Sequence, residues 1–214
     1  CFDLVGSLGA HGALTAAVWG AAEGPRICVR PVNHAYDKTY RGAWRGSDAV
    51  PSWSWKGCAG APAHVEVYDG RATRIRLEVN GREAGVAYTR NCLARFTVPY
   101  EPGEVAAVGI DDAGREIGRE VLRSAAGALR VALHVEETAG QGLGDAIAKV
   151  PGDAPGERLA FVWATIEGEN GEVEANADAW LAASVEGGEL MAFASGDPAQ
   201  LEPFASPQCR THYG

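Results

Sequence analysis

Residues 63–123 constrain the fold most, because their apolar side chains recur at every second position in strand-length runs. In "AHVEVYD", Val65 and Val67 alternate with His64, Glu66 and Tyr68; in "TRIRLEV", Ile75, Leu77 and Val79 alternate with Arg74, Arg76 and Glu78. A period of two sends successive side chains to opposite faces of a strand, so each run predicts one buried and one wet face. Asn80-Gly81 follows directly, and both residue types tolerate the positive φ that a two-residue hairpin turn requires. "CLARFTVPY", "PGEVAAVGID", "REIGREVLR" and "ALRVALHVEE" continue the series, with Pro102-Gly103 and "DDAG" as turns. Strands recurring about every 8–12 residues between turn signals predict a β-sandwich.

The rhythm changes at three places. Near the start, "CFDLVG" reads as a short strand end and "GALTAAVWGAA" as an Ala-rich helix, before the β-branched strand "RICVRPV". Residues 33–50 have no period and predict a long connection. Residues 138–156 are rich in Gly, Pro and Asp and read as a loop. Beyond it "ERLAFVWATIEG", a turn at "ENGEV", "AWLAASVEGGEL" and "LMAFASGDP" predict a second sandwich, with the boundary at residues 124–127.

Composition removes several function classes. The chain of 214 residues has a formal net charge of −9, which repels phosphate backbones and argues against nucleic acid as a partner. No apolar run approaches the roughly 18 residues of a membrane helix, and no secretory leader is recognisable. The five cysteines, Cys1, Cys28, Cys58, Cys92 and Cys209, are odd in number and never in C-x-x-C spacing. That predicts neither a metal site nor a disulfide framework, and favours a reducing, cytoplasmic setting over a secreted one. His11, His34, His64, His134 and His212 are scattered, and no metal or cofactor is expected. "GLG" at 142–144 lacks the rest of a dinucleotide motif.

Glycosidase-type chemistry needs two convergent carboxylates. Glu136 and Glu137 are adjacent in a strand and face opposite ways, while Asp111, Asp112, Glu169 and Glu172 flank turns where solvated carboxylates are ordinary. The aromatic residues are more informative. Trp53 and Trp55 share a face if their segment is extended. Such a pair can stack on a sugar ring or anchor the domain by packing, and packing is the commoner use of aromatic side chains. Trp163 and Trp180 read as core residues; Trp44, in the irregular connection, has no assignment.

From "SWSWKGCAG" through "VEVYDGRATRIRLEVNGREAG" the chain resembles the non-catalytic β-domain that follows the catalytic barrel in glycoside hydrolase family 2, the β-galactosidase family. The resemblance rests on Trp53 and Trp55, on Tyr68, on the series Leu77, Asn80, Gly81 and Gly85, and on "VPYEPGEVAAVGID". "FDLVG" and "AVWG" resemble the last strand and helix of the barrel. Residues 159–204 resemble the family's final immunoglobulin-like domain, through Gly196-Asp197-Pro198, Glu202 and Phe204.

The resemblance implies a mainly β chain in three parts: residues 1–25 as a barrel remnant, 26–124 as a first immunoglobulin-like or fibronectin-like sandwich, and 125–214 as a second, one strand short of the family pattern. It implies an accessory region of a retaining exo-β-glycosidase, partnered by that enzyme's barrel and available for homo-oligomer contacts. No residue matches the family's acid/base and nucleophile glutamates, so no catalytic residue is expected here. Trp53 and Trp55 remain the candidate contacts to an oligosaccharide, and are expected to be exposed where the barrel would cover them. Two other readings stay open: a carbohydrate-binding sandwich module and a standalone immunoglobulin-like adhesion or scaffold protein.

Overall fold

The computed structural model describes residues 8–35, 46–136 and 160–214. Cys1, the strand end expected within residues 1–7, Trp44, Glu137, the loop at 138–156 and its "GLG" stretch lie outside the described residues.

The described chain is mainly β, with several small antiparallel sheets and one short α-helix, α1 (Ala10–Val18). A three-stranded sheet runs in the order β1 (Arg26–Val29), β2 (Pro62–Tyr68), β5 (Leu93–Pro99). A four-stranded sheet runs in the order β4 (Arg82–Tyr88), β3 (Arg74–Val79), β6 (Glu104–Ile110), β7 (Glu116–Arg123). The two sheets share one core: Ile27, Val65, Val67 and Ala94 from the first meet Ile75, Leu77, Val105 and Ala107 from the second. This is a sandwich-like layering.

The predicted alternation holds in β3, where Ile75, Leu77 and Val79 are buried and Arg74, Arg76 and Glu78 half-buried. It fails in β2, where Glu66 and Tyr68 are buried too. The reason is α1, whose Ala10, Ala13 and Ala17 lie over Cys28 and Tyr68 and cover the face expected to be wet. Small side chains let the helix approach closely, and a Cβ on Gly70 would come within 2.2 Å of the Ala17 carbonyl oxygen. Glu66, enclosed there, accepts hydrogen bonds from the Tyr68 hydroxyl (2.6 Å) and Arg95 Nε (3.2 Å).

Asn80 and Gly81 take φ of 50° and 74° and join β3 to β4 in a two-residue turn, with Val79 opposite Arg82. Both central residues thus use positive φ, the geometry that matches strand twist. Asn80 Oδ1 also accepts from the Glu104 N–H at 2.8 Å, tying this hairpin to the turn before β6. The outer edge of β1 is closed as well: the Ile27 N–H donates to the Glu120 carboxylate from β7, and Val29 bridges to Val50.

The remainder holds β8 (Arg130–Glu136) paired with β9 (Phe161–Glu167), and β10 (Trp180–Ala182) paired with β11 (Gln208–Arg210). The strand expected from "LMAFASGDP" is not formed, and "AWLAASVEGGEL" yields three strand residues only. Among the described residues no layer lies opposite these two-stranded sheets, and apolar groups stay bare. Val131, Leu133, Val135 and Val162 share one face of β8–β9 and are exposed, Leu133 by 67%. Trp180, expected in the core, is 61% exposed, and Trp163 is half-buried.

Candidate functional site

The segment 52–58 lies between the two larger sheets and residues 124–126 and 174–176, and its buried polar groups bond to both sides. Trp53 and Trp55 are both 0% exposed, so the pair does not show the open faces expected of it. The Trp53 ring meets Tyr100 edge-on, with centroids 5.0 Å apart, and its Nε1 donates to the Glu101 carbonyl at 3.0 Å. The Trp55 ring meets Tyr213 edge-on at 6.2 Å, and its backbone N–H donates to the Tyr100 hydroxyl at 3.0 Å. Edge-to-face contacts of this kind add to the burial of two large apolar surfaces. Part of the surface over Trp55 comes from Tyr213, near the end of the chain.

Between the indoles, Ser54 is buried and fully used. Its hydroxyl donates to Glu174 Oε2 at 2.8 Å and accepts from the Ala125 N–H at 2.8 Å, while its carbonyl accepts from the Ala175 N–H at 3.1 Å. Glu174, also buried, takes the Lys56 and Asn176 N–H groups on Oε1 at 2.9 and 3.0 Å. Ser124 closes the other side, donating to the Trp53 carbonyl and sharing a hydrogen bond with the Tyr100 hydroxyl at 3.1 Å. Burial pushes the Tyr100 hydroxyl above its usual range, and burial followed by the Glu174 charge does the same to the Cys58 thiol. Buried, and with both oxygens hydrogen-bonded, Glu174 holds structure.

Of the carboxylates weighed from sequence, Asp111 and Asp112 lie on one turn and Glu169 and Glu172 on another. Asp111 accepts from the Arg115 backbone and guanidinium and is held below the usual carboxylate range by those bonds. Asp112 and Glu169 are exposed. His134 instead meets Glu167, whose carboxyl is held low first by the Thr165 hydroxyl and then by His134. His11 accepts from the Gly46 N–H, and His64 meets the Thr97 hydroxyl. Among the described residues no group of three potential ligands could hold a metal ion. Among the described residues no helix is long and apolar enough to cross a membrane. Sequence reasoning missed Ser54, Tyr100, Ser124 and Glu174. Only the placement of Ser54 between two tryptophans hinted at them.

With this geometry in hand, the comparisons with known proteins become informative. A family described as "Domain of unknown function (DUF4982)" matches residues 60–118, well under half of the chain. No curated protein matches. Solved structures do. A glycosyl hydrolase family 2 member from Bacteroides cellulosilyticus superposes on 100% of this chain with a TM-score of 0.76 at 21% identity. A second structure from that organism gives 0.74 at 22%, and a β-glycosidase from Bacteroides vulgatus 0.67 at 20%.

The chain has the fold of a part of these enzymes. It spans 27% of each of the first two and 23% of the third. At these identities the likeness is one of fold.

Proposed function

We propose that this chain is an accessory, non-catalytic region of a glycoside hydrolase family 2 enzyme of the β-galactosidase type. Residues 1–25 would close the catalytic barrel, 26–124 form the first sandwich and 125–214 the second. One observation supports this reading most: all of the chain, including its helix and its sparse second half, superposes on about a quarter of a family 2 member. The helix lying on β1–β2–β5 supports it further, because an Ala-rich helix preceding the sandwich is what a barrel end would contribute.

In this reading the chain braces the barrel, shapes its rim or supports contacts between copies, and the enzyme works in a reducing compartment. The coding sequence upstream of Cys1 tests it. An eight-stranded barrel with glutamates at two strand ends is expected. An in-frame stop just upstream would overturn the proposal. Turnover of an aryl β-galactoside by the 214-residue chain alone would overturn its non-catalytic character.

The reading of Trp53 and Trp55 as a sugar platform would require both indoles to leave the core. Titration with oligosaccharides followed by Trp fluorescence is expected to give no saturable change at this pair.

A further inference from the structure

The chain holds two Asn-Gly pairs, Asn80-Gly81 and Asn170-Gly171. Both sit on exposed turns, and both asparagines make the same clasp. Asn80 Nδ2 donates to the Pro102 carbonyl at 3.2 Å, and its Oδ1 accepts from the Glu104 N–H at 2.8 Å. Asn170 Nδ2 donates to the Ser124 carbonyl at 3.0 Å, and its Oδ1 accepts from the Ala126 N–H at 2.9 Å. Each amide thus spans the C=O of one residue and the N–H two further on, using a donor and an acceptor side by side. The clasps are tight: a Cβ on Gly103 would come within 2.1 Å of Asn80 Oδ1, and one on Gly168 within 2.8 Å of Asn170 Oδ1. The first ties the β3–β4 turn to the turn before β6. The second ties the turn after β9 to the segment between β7 and β8.

Asparagine is thermolabile, and most so before glycine, whose nitrogen no side chain shields. Once that nitrogen gives up its proton to solvent base, it attacks the asparagine Cγ. A ring N–Cγ bond forms, the Cγ–Nδ2 bond breaks, and Nδ2 leaves as ammonia. Water then opens the cyclic imide at one of its two carbonyls and gives aspartate or isoaspartate, so one water is consumed for each ammonia released. The glycine N–H decides between two otherwise similar sites. The Gly171 N–H donates to the Gly168 carbonyl at 3.0 Å, in a turn closed again by the Gly168 N–H on the Glu172 carbonyl at 3.0 Å. The Gly81 N–H makes no hydrogen bond among the described residues. Asn170 can therefore react only after a bond breaks that Asn80 does not have to break.

We propose that Asn80 is a site of spontaneous deamidation in the folded chain, that Asn170 is protected, and that the change at Asn80 releases β4. The aspartate product keeps the acceptor for Glu104 but has no donor for Pro102. It also sets a second carboxylate beside Glu101, whose Oε2 lies 3.5 Å from Asn80 Nδ2. The isoaspartate product adds a methylene to the main chain of a two-residue turn in which both residues already hold positive φ. β4 is the strand affected, because it is the edge of its sheet and pairs with β3 alone.

The test is incubation of the 214-residue chain in mildly alkaline buffer, native and in urea, with the amide-to-acid mass gain followed at each site by peptide mass spectrometry. In native protein Asn80 is expected to convert about fivefold faster than Asn170 or more, the worth of one ordinary hydrogen bond. In urea the two rates are expected to converge, since each asparagine then precedes an unbonded glycine. Equal native rates, a faster Asn170, conversion at neither site, or a native ratio that persists in urea overturns the proposal. Asn80→Asp isolates the consequence. Amide hydrogen exchange along Arg82–Tyr88 is expected to quicken while that of Glu104–Ile110 stays slow. Unchanged exchange along Arg82–Tyr88 would overturn the release of β4.

Discussion

Glu174 is a buried carboxylate with no ion pair among the described residues, yet both its oxygens are hydrogen-bonded: two backbone N–H groups on one and the Ser54 hydroxyl on the other. Such groups stabilise only while every partner is present, since a lost donor leaves buried charge uncompensated. Trp53 and Trp55 lie on either side of it and fill the largest share of the surrounding core. Trp53→Ala removes a fully buried indole and its bond to the Glu101 carbonyl, and should cost about 3–5 kcal/mol in urea unfolding. A loss below about 1 kcal/mol would show that the indole is not part of the core. Cys28 offers a second check. Burial, with Glu120 and Glu66 nearby, pushes its thiol up to about 12. Native protein at pH 8 should therefore leave Cys28 unalkylated by iodoacetamide, while protein in urea reacts, as peptide mass spectrometry will read.

At the level of elements, local period predicted what local period controls. β3 is legible because its two faces differ along one strand, and the Asn80-Gly81 turn because its φ requirement is written in two residues. β2 is only half legible. Whether Glu66 and Tyr68 face water depends on where α1 docks, which alternation cannot encode. The burial of Trp55 depends on Tyr213, at the far end of the chain, and nothing near Trp55 announces it. Trp180 fails in the opposite sense: its segment has strand-like composition but gains no opposing layer.

The β8–β9 hairpin has its own pH signature. Glu167, nearly enclosed, is held below the ordinary carboxylate range by Thr165 and His134. A depressed folded value contributes stability that is complete above the ordinary glutamate value of about 4.3 and lost as pH falls through the lower, folded one. Between about pH 5 and pH 3 the melting temperature should therefore drop, and drop less steeply in Glu167→Gln. Equal slopes would show that Glu167 contributes nothing to the acid limb.

For the whole molecule, the described residues are unevenly consolidated. The two larger sheets close one core between them, a helix covers the outer face of one, and the β1 edge is blocked by Glu120 and Val50. The β8–β9 sheet leaves Val131, Leu133, Val135 and Val162 uncovered on one face. Contiguous exposed apolar side chains mark either a contact surface or a tendency to associate. The chain should bind an environment-sensitive dye such as ANS, and Leu133→Lys with Val135→Lys should abolish most of that fluorescence without lowering the melting temperature. Unchanged fluorescence would place the dye elsewhere.

The bonds across segment 52–58 have one more effect. Glu174, Ala175, Asn176 and Tyr213 grip that segment from one side of the sequence, and β9 pairs along the whole of β8. The last third of the polypeptide is thus held to the rest by these contacts as well as by the covalent link between Glu136 and Phe161. Once folded, a molecule nicked by a protease anywhere in that interval would go on behaving as one particle, and its two pieces, made separately, would have the means to find each other.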